Sequence, residues 1–238
     1  MSQNLSILID KGGFSFVVWK NCVAHHQAYI PIGAADHDNV FKDIYLQQEY
    51  NLVNCAILSP QFALVPKEYF THEIPLEDWL TFNSQVFEGD VVLHYEIPEQ
   101  DIFWVYAIDA SQKKLFDNKF ANTKWHHSGS IFLESLSVDS QEKVLFANIH
   151  KNVLEIAVYK EGRLHFYNQF VYRSSNDLMY FILNVYAQLE LDTNQDPLYY
   201  FGKVQDENLQ RLLKFVRHVL PGHEDLSILE NYSHYILQ

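Results

Sequence analysis

Two parts of the chain carry the same order of apolar runs and turn residues. Residues 5–30 hold three short apolar runs separated by two turn sequences, and residues 144–170 hold three more with the same spacing. Apolar runs of this length, bounded by Gly, Asn and Lys, are typical of strands in hairpins. The pattern therefore predicts a duplicated unit of three strands. An offset of 140 residues aligns the copies and places Asp10 on His150, Trp19 on Tyr159 and His25 on His165.

A helix and a further strand are expected after each group of three strands. In the first copy, Asp36 or Asp38 is suited to cap a helix that carries Val40, Phe41, Ile44 and Tyr45 at helical spacing. In the second copy, Ser174 or Ser175 is suited to cap a helix over 177–191 that is apolar on most sides. The additional elements predicted are strands at 53–58 and 198–201 and helices at 125–136 and 206–219.

The two β-β-β-α-β units predict an α/β chain with two subdomains, residues 1–138 and residues 139–238. The segment at about 59–124 has no counterpart in the second copy, so we interpret it as an insertion. Within this segment, the pattern predicts a helix near 76–85 and two strands, Asp90–Ile97 and Ile102–Asp109, joined by a turn at 98–100.

Charge and cysteine content limit the classes of function. The formal net charge of −13 argues against a nucleic-acid partner, because phosphate binding requires clustered Lys and Arg. Cys22 and Cys55 both lie in apolar runs, a usage that fits buried thiols in a reducing cytoplasm. No stretch approaches the roughly 20 apolar residues of a membrane span. The composition predicts a cytoplasmic protein without a transmembrane helix.

The chain resembles proteins of the actin-like ATPase fold, which include actin, sugar kinases, heat-shock ATPases and bacterial pilus-assembly ATPases. Four segments carry a closer match, namely Phe62–Pro66 with Phe70, Leu164–Tyr172, Asp177–Ile182 and Tyr200–Val204. In these segments the chain is similar to an uncharacterised bacterial family known mainly from Bacteroidetes. The resemblance implies an actin-like (ribonuclease H-like) duplicated fold with an insertion in the first half and no assigned reaction.

The resemblance to actin-like ATPases directs attention to the first turn of each copy. In such ATPases, backbone N–H groups of these turns wrap phosphates, and an aspartate at the end of each first strand holds Mg²⁺. The first turn contains suitable residues, namely Asp10, Lys11, Gly12, Gly13 and Ser15. An ordinary hairpin, in which the two glycines satisfy a tight turn with positive φ, is the alternative interpretation.

The second turn departs from the ATPase pattern. It reads His150-Lys151-Asn152-Val153, with neither an acid for a metal nor a glycine for close approach of a phosphate. The adenosine region, where two glycines are usual, contains Gly202 alone, followed by Lys203. Lys151, Asn152 and Gly202 therefore complete the predicted nucleotide-binding set only in an eroded form.

No other catalytic or metal motif stands out. Adjacent strand histidines such as His25 and His26 point to opposite faces and cannot share one metal ion. No Walker motif and no nucleophile elbow is present.

Two hypotheses about function follow from the eroded turns. The first is a non-catalytic actin-like scaffold that binds no cofactor and acts through an unidentified protein partner or a second copy of the chain. The alternative is a nucleotide-binding protein or weak ATPase that uses ATP and Mg²⁺ at the first turn. An enzyme with an unrelated site on the same fold has no specific support.

Overall fold

A computed structural model describes residues 3–21, 23–32, 40–136, 138, 143–202 and 206–222. These residues divide into two compact units, with the boundary between Glu134 and Ser135. The strands before this boundary are β1 (Gln3–Asp10), β2 (Gly13–Lys20), β3 (Val23–Pro31), β4 (Leu52–Ile57), β5 (Phe62–Pro66), β6 (Asp90–Ile97), β7 (Ile102–Asp109) and β8 (Thr123–His127). The helices are α1 (Leu76–Thr81), α2 (Ala110–Lys119) and α3 (Ser128–Ser135), with a 3₁₀ turn at Pro98–Gln100.

Unit 2 repeats much of this order. Its strands are β9 (Lys143–Ile149), β10 (Val153–Lys160), β11 (Arg163–Val171), β12 (Leu198–Phe201) and β13 (Val219–Pro221), and its helices are α4 (Ser175–Gln188) and α5 (Asp206–Leu212).

The duplication is visible in the order of the strands. The five-stranded sheet of unit 1 runs β3-β2-β1-β4-β8, and that of unit 2 runs β11-β10-β9-β12-β13. In each sheet the first three strands pair antiparallel as two hairpins, and the remaining two pair parallel. Equivalent strands therefore place the turns β1–β2 and β9–β10 at the same position of the two sheets.

The insertion forms its own small sheet in unit 1. Strands β5, β7 and β6 pair antiparallel in that order, and α1 contacts them. Leu80 of α1 is fully buried against Val65, Val105 and Ala107. Both insertion strands predicted around the turn at 98–100 form with the predicted bounds.

Alternation within the strands explains the core of unit 2. Leu145, Ala147 and Ile149 of β9 are buried in one apolar cluster with Leu178 and Ile182 of α4. The cap predicted at Ser174 or Ser175 forms at Ser174, as part of a capping box in which the Ser174 hydroxyl accepts the Asp177 N–H at 3.2 Å. The opposite face of β9 and β10 is also buried, and its two polar residues, Asn148 and Glu155, belong to the site described below.

Four predicted helical segments differ from the structure, one of them only because the helix predicted near 76–85 ends at Thr81. Residues 40–48 form turns because the Asp43 carboxylate accepts the Tyr45 N–H at 2.8 Å and competes with a helical ladder. Asp36 and Asp38 lie outside the described residues. The predicted helix at 125–136 starts as strand β8, and the helix predicted to end at Val219 ends at Leu212.

Strands β8 and β13, which replace parts of two predicted helices, are the same element in the two units. Each adds parallel to the fourth strand of its sheet, so a partner distant in sequence determines its conformation. Among the described residues, no helix is both long and apolar enough to cross a membrane.

Candidate functional site

The first turn satisfies its own polar groups. Asp10 pairs with Gly13 across the hairpin, so Lys11 and Gly12 form the connection. The Gly12 N–H donates to Asp10 Oδ1 at 2.6 Å, and the hydroxyl of Tyr29 on β3 donates to the same oxygen at 3.3 Å. Partial burial and the Asp10 charge raise the pKa of Tyr29, which keeps its hydroxyl protonated as a donor. An amide expected to meet phosphate is thus bound to a carboxylate of the turn itself.

Close approach of β3 explains the two glycines. A Cβ on Gly13 would lie 2.2 Å from the Ile30 carbonyl oxygen and 2.9 Å from Pro31 Cα. A Cβ on Gly12 would lie 3.0 Å from the Tyr29 hydroxyl. Neither glycine has a φ in the left-handed region, in contrast to the positive φ expected from the sequence. Packing within the hairpin therefore accounts for both glycines without a ligand.

Lys11 and Ser15 differ in exposure. Lys11 is exposed at the tip of the turn, whereas Ser15 lies inside β2 and is buried. The strand register places Ser15 beside Leu8 on one side and Tyr29 on the other. Of the predicted phosphate-binding side chains in this copy, only Lys11 and part of Asp10 are open to solvent.

In the second turn, His150 occupies the position that Asp10 has in the first turn. His150 is 5% exposed, and its Nε2 lies 2.8 Å from Oε2 of Glu155 on β10. The Tyr172 hydroxyl donates to the His150 carbonyl, and the Tyr172 N–H donates to the Asn152 carbonyl at 3.0 Å. Lys151 and Asn152 are exposed between these anchors. The turn is therefore held from both its side chains and its backbone.

Glu155 is the centre of a buried polar cluster, which we call the Glu155 cluster. Its side chain is 0% exposed. Oε1 accepts the Tyr167 hydroxyl at 2.7 Å and Gln169 Nε2 at 2.8 Å. Oε2 accepts Asn148 Nδ2 at 2.7 Å and lies beside His150 Nε2. Because a carboxylate only accepts, the donors Tyr167, Gln169 and Asn148 fit an ionised Glu155, whose charge favours a proton on the neighbouring His150 Nε2. Asn148 Nδ2 also lies 3.0 Å from that ring nitrogen.

Sequence reasoning missed Glu155. The available signal was an acid inside the apolar run Val153–Tyr159, where a buried charge requires partners. The partners come from β9, from the turn between β9 and β10, and from β11, and their convergence depends on a strand register that cannot be read from the sequence. In that register Glu155 faces Gln169, as Ser15 faces Tyr29 in unit 1.

Gly202 is explained by the backbone conformation at its position. It follows β12 with a φ of +87°, a conformation that L side chains rarely adopt. The next residue, Lys203, lies outside the described residues. The conformation explains this glycine without assigning it to adenosine.

The two turns do not fit Mg²⁺-nucleotide in the manner of the actin-like ATPases. In unit 1, Asp10 Oδ1 and the Gly12 N–H are already paired with each other. In unit 2, a buried His150 stands where a metal aspartate is needed, and its partner is an anion that disfavours phosphate. Among the described residues, no group of three or more His, Cys, Asp and Glu side chains is placed to hold a metal ion.

Solved structures with the same fold include a Bacteroides thetaiotaomicron protein with an actin-like ATPase fold and unknown function. It aligns with a TM-score of 0.83 and 24% identity over 96% of this chain and 95% of that chain. The PilM–PilN type IV pilus biogenesis complex aligns with a TM-score of 0.61 and 11% identity over 96% and 89% of the two chains. The ethanolamine utilization protein EutJ of Carboxydothermus hydrogenoformans aligns with a TM-score of 0.50 and 10% identity over 100% and 90%.

These likenesses confirm the α/β actin-like fold predicted from the duplicated units. No curated protein matches the chain significantly. The family model DUF3822, described as a protein of unknown function, matches residues 1–219. The chain therefore belongs to the DUF3822 family, as its resemblance to an uncharacterised bacterial family predicted.

Proposed function

We propose that the chain is a non-catalytic actin-like scaffold that acts through protein contacts and uses no cofactor. The observation that carries this proposal is the Glu155 cluster, in which a buried carboxylate and His150 occupy the second turn. A phosphate at that turn would meet a negative charge where the reaction requires a metal or an N–H group. A scaffold needs only the fold, and one chain of similar fold comes from the PilM–PilN type IV pilus biogenesis complex.

The cellular setting of the proposed scaffold is the cytoplasm. Cys55 is a free, fully buried thiol, and burial raises its pKa well above the ordinary value. Such a thiol is unreactive and needs no oxidising compartment. The partner we assign is a protein, including a second copy of the chain, rather than a nucleic acid.

The alternative function is nucleotide binding at the first turn. It is favoured by the position of Asp10 and Lys11 at a partly exposed hairpin end. In that case Asp10 would hold Mg²⁺, and Lys11, Gly12, Gly13 and Ser15 would line the phosphate. The remaining predicted residues, Lys151, Asn152 and Gly202, lie in unit 2, and the alternative rests on the first turn alone.

A thermal unfolding experiment with ATP, ADP and Mg²⁺ separates the two functions. A ligand present at 100 times its Kd adds about 2.7 kcal/mol of stability, which raises Tm by several degrees. The scaffold proposal expects no change in Tm at millimolar nucleotide with Mg²⁺. An increase in Tm would overturn it in favour of nucleotide binding.

Two variants of Asp10 make this experiment specific. Asp10→Asn keeps an oxygen for the Gly12 N–H but removes the charge that Mg²⁺ would need, whereas Asp10→Ala removes both. The scaffold proposal expects Asp10→Asn to keep the native Tm and Asp10→Ala to lower it, each without regard to nucleotide. A nucleotide-dependent shift that disappears in Asp10→Asn would establish the alternative.

A further inference from the structure

Residues 213–220 of unit 2 include exposed cations and apolar side chains, and we call Leu213, Lys214, Phe215, Arg217 and Leu220 the cationic apolar surface. The three apolar side chains are 47%, 57% and 42% exposed, and both cations are exposed. No acidic residue occurs between Asn208 and Gly222. In a chain with a net charge of −13, this segment is a local reversal of sign.

Two buried residues on either side hold this surface outward. Leu212 and Val216 are 0% exposed in the core of unit 2, and the Val216 N–H donates to the Leu212 carbonyl at 2.9 Å. The three residues between them therefore form a single turn that leaves the core. The Arg217 N–H donates to the Thr193 carbonyl at 2.9 Å, which fixes the end of the turn. The surface is presented by a well-anchored backbone.

Neither cation is neutralised locally. Within the described ranges, Lys214 and Arg217 have no ion-pair partner within 4.0 Å. Exposed large apolar side chains interspersed with unpaired charges mark an interaction surface more often than isolated apolar residues do. The occupant that complements this surface must be acidic and must offer apolar or aromatic side chains.

The insertion of the same chain offers such a surface. Residues 78–88 include exposed acidic and aromatic side chains, and we call Asp78, Phe82, Phe87 and Glu88 the acidic aromatic surface. Phe82 is 83% exposed, the highest value among the exposed large apolar side chains of the described residues, and Phe87 is 53% exposed. Asp78 and Phe82 are four residues apart at the end of α1 and share one side. Asp78 and Glu88 are exposed and have no ion-pair partner among the described residues.

We propose that two copies of the chain associate by docking the cationic apolar surface of one copy on the acidic aromatic surface of the other. A net charge of −13 makes two copies repel each other, but this repulsion is screened beyond about 8 Å at physiological ionic strength. Contact between like-charged copies is then favoured where opposite charges meet. This proposal rests on the proposed scaffold function, for which it names the partner.

Sedimentation velocity of the full chain and of charge-reversed variants tests the proposal. The native chain is expected to associate as its concentration rises from about 1 µM to about 1 mM. Lys214→Glu with Arg217→Glu, and separately Asp78→Lys with Glu88→Lys, are each expected to weaken association at least about tenfold. An equimolar mixture of the two variants keeps one native copy of each surface and is expected to associate again.

The matched control is Lys143→Glu with Arg163→Glu, which makes the same change of charge at two other exposed positions of unit 2. This control is expected to associate like the native chain. A circular dichroism spectrum and Tm for every variant confirm folding before sedimentation is interpreted.

Any of the following results would overturn the proposal. A native chain that stays monomeric throughout, variants that associate normally, or a mixture without recovery would each exclude this contact. Binding of the cationic surface to phosphatidylserine vesicles by a monomeric chain would assign that surface to lipid instead. None of these outcomes changes the result of the nucleotide experiment, so failure of the contact and failure of the scaffold function remain distinguishable.

Discussion

Replacing Glu155 by Gln tests whether the second turn is held by a buried charge. The substitution keeps the size and shape of the side chain but exchanges one carboxylate oxygen for an amide that donates two N–H bonds. Each carboxylate oxygen of Glu155 accepts from two neighbours. Whichever oxygen is exchanged, two neighbouring donors lose their acceptor.

The expected cost follows from these contacts. A buried donor left without a partner costs about 1–3 kcal/mol, so two such donors cost roughly 2–6 kcal/mol. Rotation of the Tyr167 hydroxyl, which can accept as well as donate, offsets part of this cost. We expect Glu155→Gln to lower the free energy of unfolding by about 3 kcal/mol, a substantial share of the roughly 5–15 kcal/mol typical of a domain.

Urea unfolding followed by two signals provides the assay. All four tryptophans, at positions 19, 79, 104 and 125, lie in unit 1, so their fluorescence reports on that unit. Far-ultraviolet circular dichroism reports on both units. The loss is expected in the circular dichroism transition, and any difference between the two signals shows how independently the units unfold.

The control is Glu68→Gln, which makes the same chemical change at an exposed position. Its effect is expected to stay within about 0.5 kcal/mol. A loss below about 1 kcal/mol for Glu155→Gln, comparable to the control, would refute the conclusion that the Glu155 cluster recognises a charge.

Two further predictions concern unit 1. Gly13→Ala is expected to lower the free energy of unfolding by about 3 kcal/mol, because its Cβ overlaps the Ile30 carbonyl. Gly89→Ala, at a φ of +91° and in open space, is expected to lower it by about 1 kcal/mol. The reverse order of the two losses in urea unfolding would contradict the role given to β3. Burial raises the pKa of Glu134 above 4.5, so its contribution to stability is complete below that pH and is lost as pH rises through the folded-state pKa. Glu134→Gln is therefore expected to reduce the decline of Tm as the pH rises through the folded-state pKa of Glu134. An unchanged profile of Tm against pH would exclude a raised pKa at Glu134.

The sequence predicted the elements whose partners lie nearby in the chain, and also strands β4 and β12, whose partners β1 and β9 are distant. The hairpins β1–β2 and β10–β11 and the capped helix α4 depend on contacts within about 20 residues and were found where predicted. Strands β8 and β13 were mistaken for helix because each pairs with a strand more than 20 residues away. Their apolar residues fit either a helix or a strand, and pairing with the edge of the sheet selects the strand.

The candidate site was predictable in position but only partly in content. Alignment of the two copies in the sequence places Asp10 on His150 and so locates both turns. The role of His150 was not visible, because it depends on Glu155 beside it and on Tyr167 and Gln169 one strand further away. His150, which stands in the sequence where an actin-like ATPase has a metal aspartate, is in the structure a buried partner of the Glu155 carboxylate.

In both copies a side-chain hydrogen bond holds the turn between the first two strands, but the donor and the acceptor exchange places. In unit 1 the turn supplies the acceptor, Asp10, and the third strand supplies a donor, Tyr29. In unit 2 the turn supplies a donor, His150, and the acceptor has moved five residues along the chain to Glu155 inside β10. A turn of the first kind keeps an acid near solvent, where a metal can reach it, whereas the second kind buries the acid and satisfies it completely. Restoring an acid at position 150 would place two carboxylates together in a buried site, at a cost that like charges at close range impose. The second turn therefore cannot regain the ATPase pattern by one substitution, because Glu155 would have to change with it.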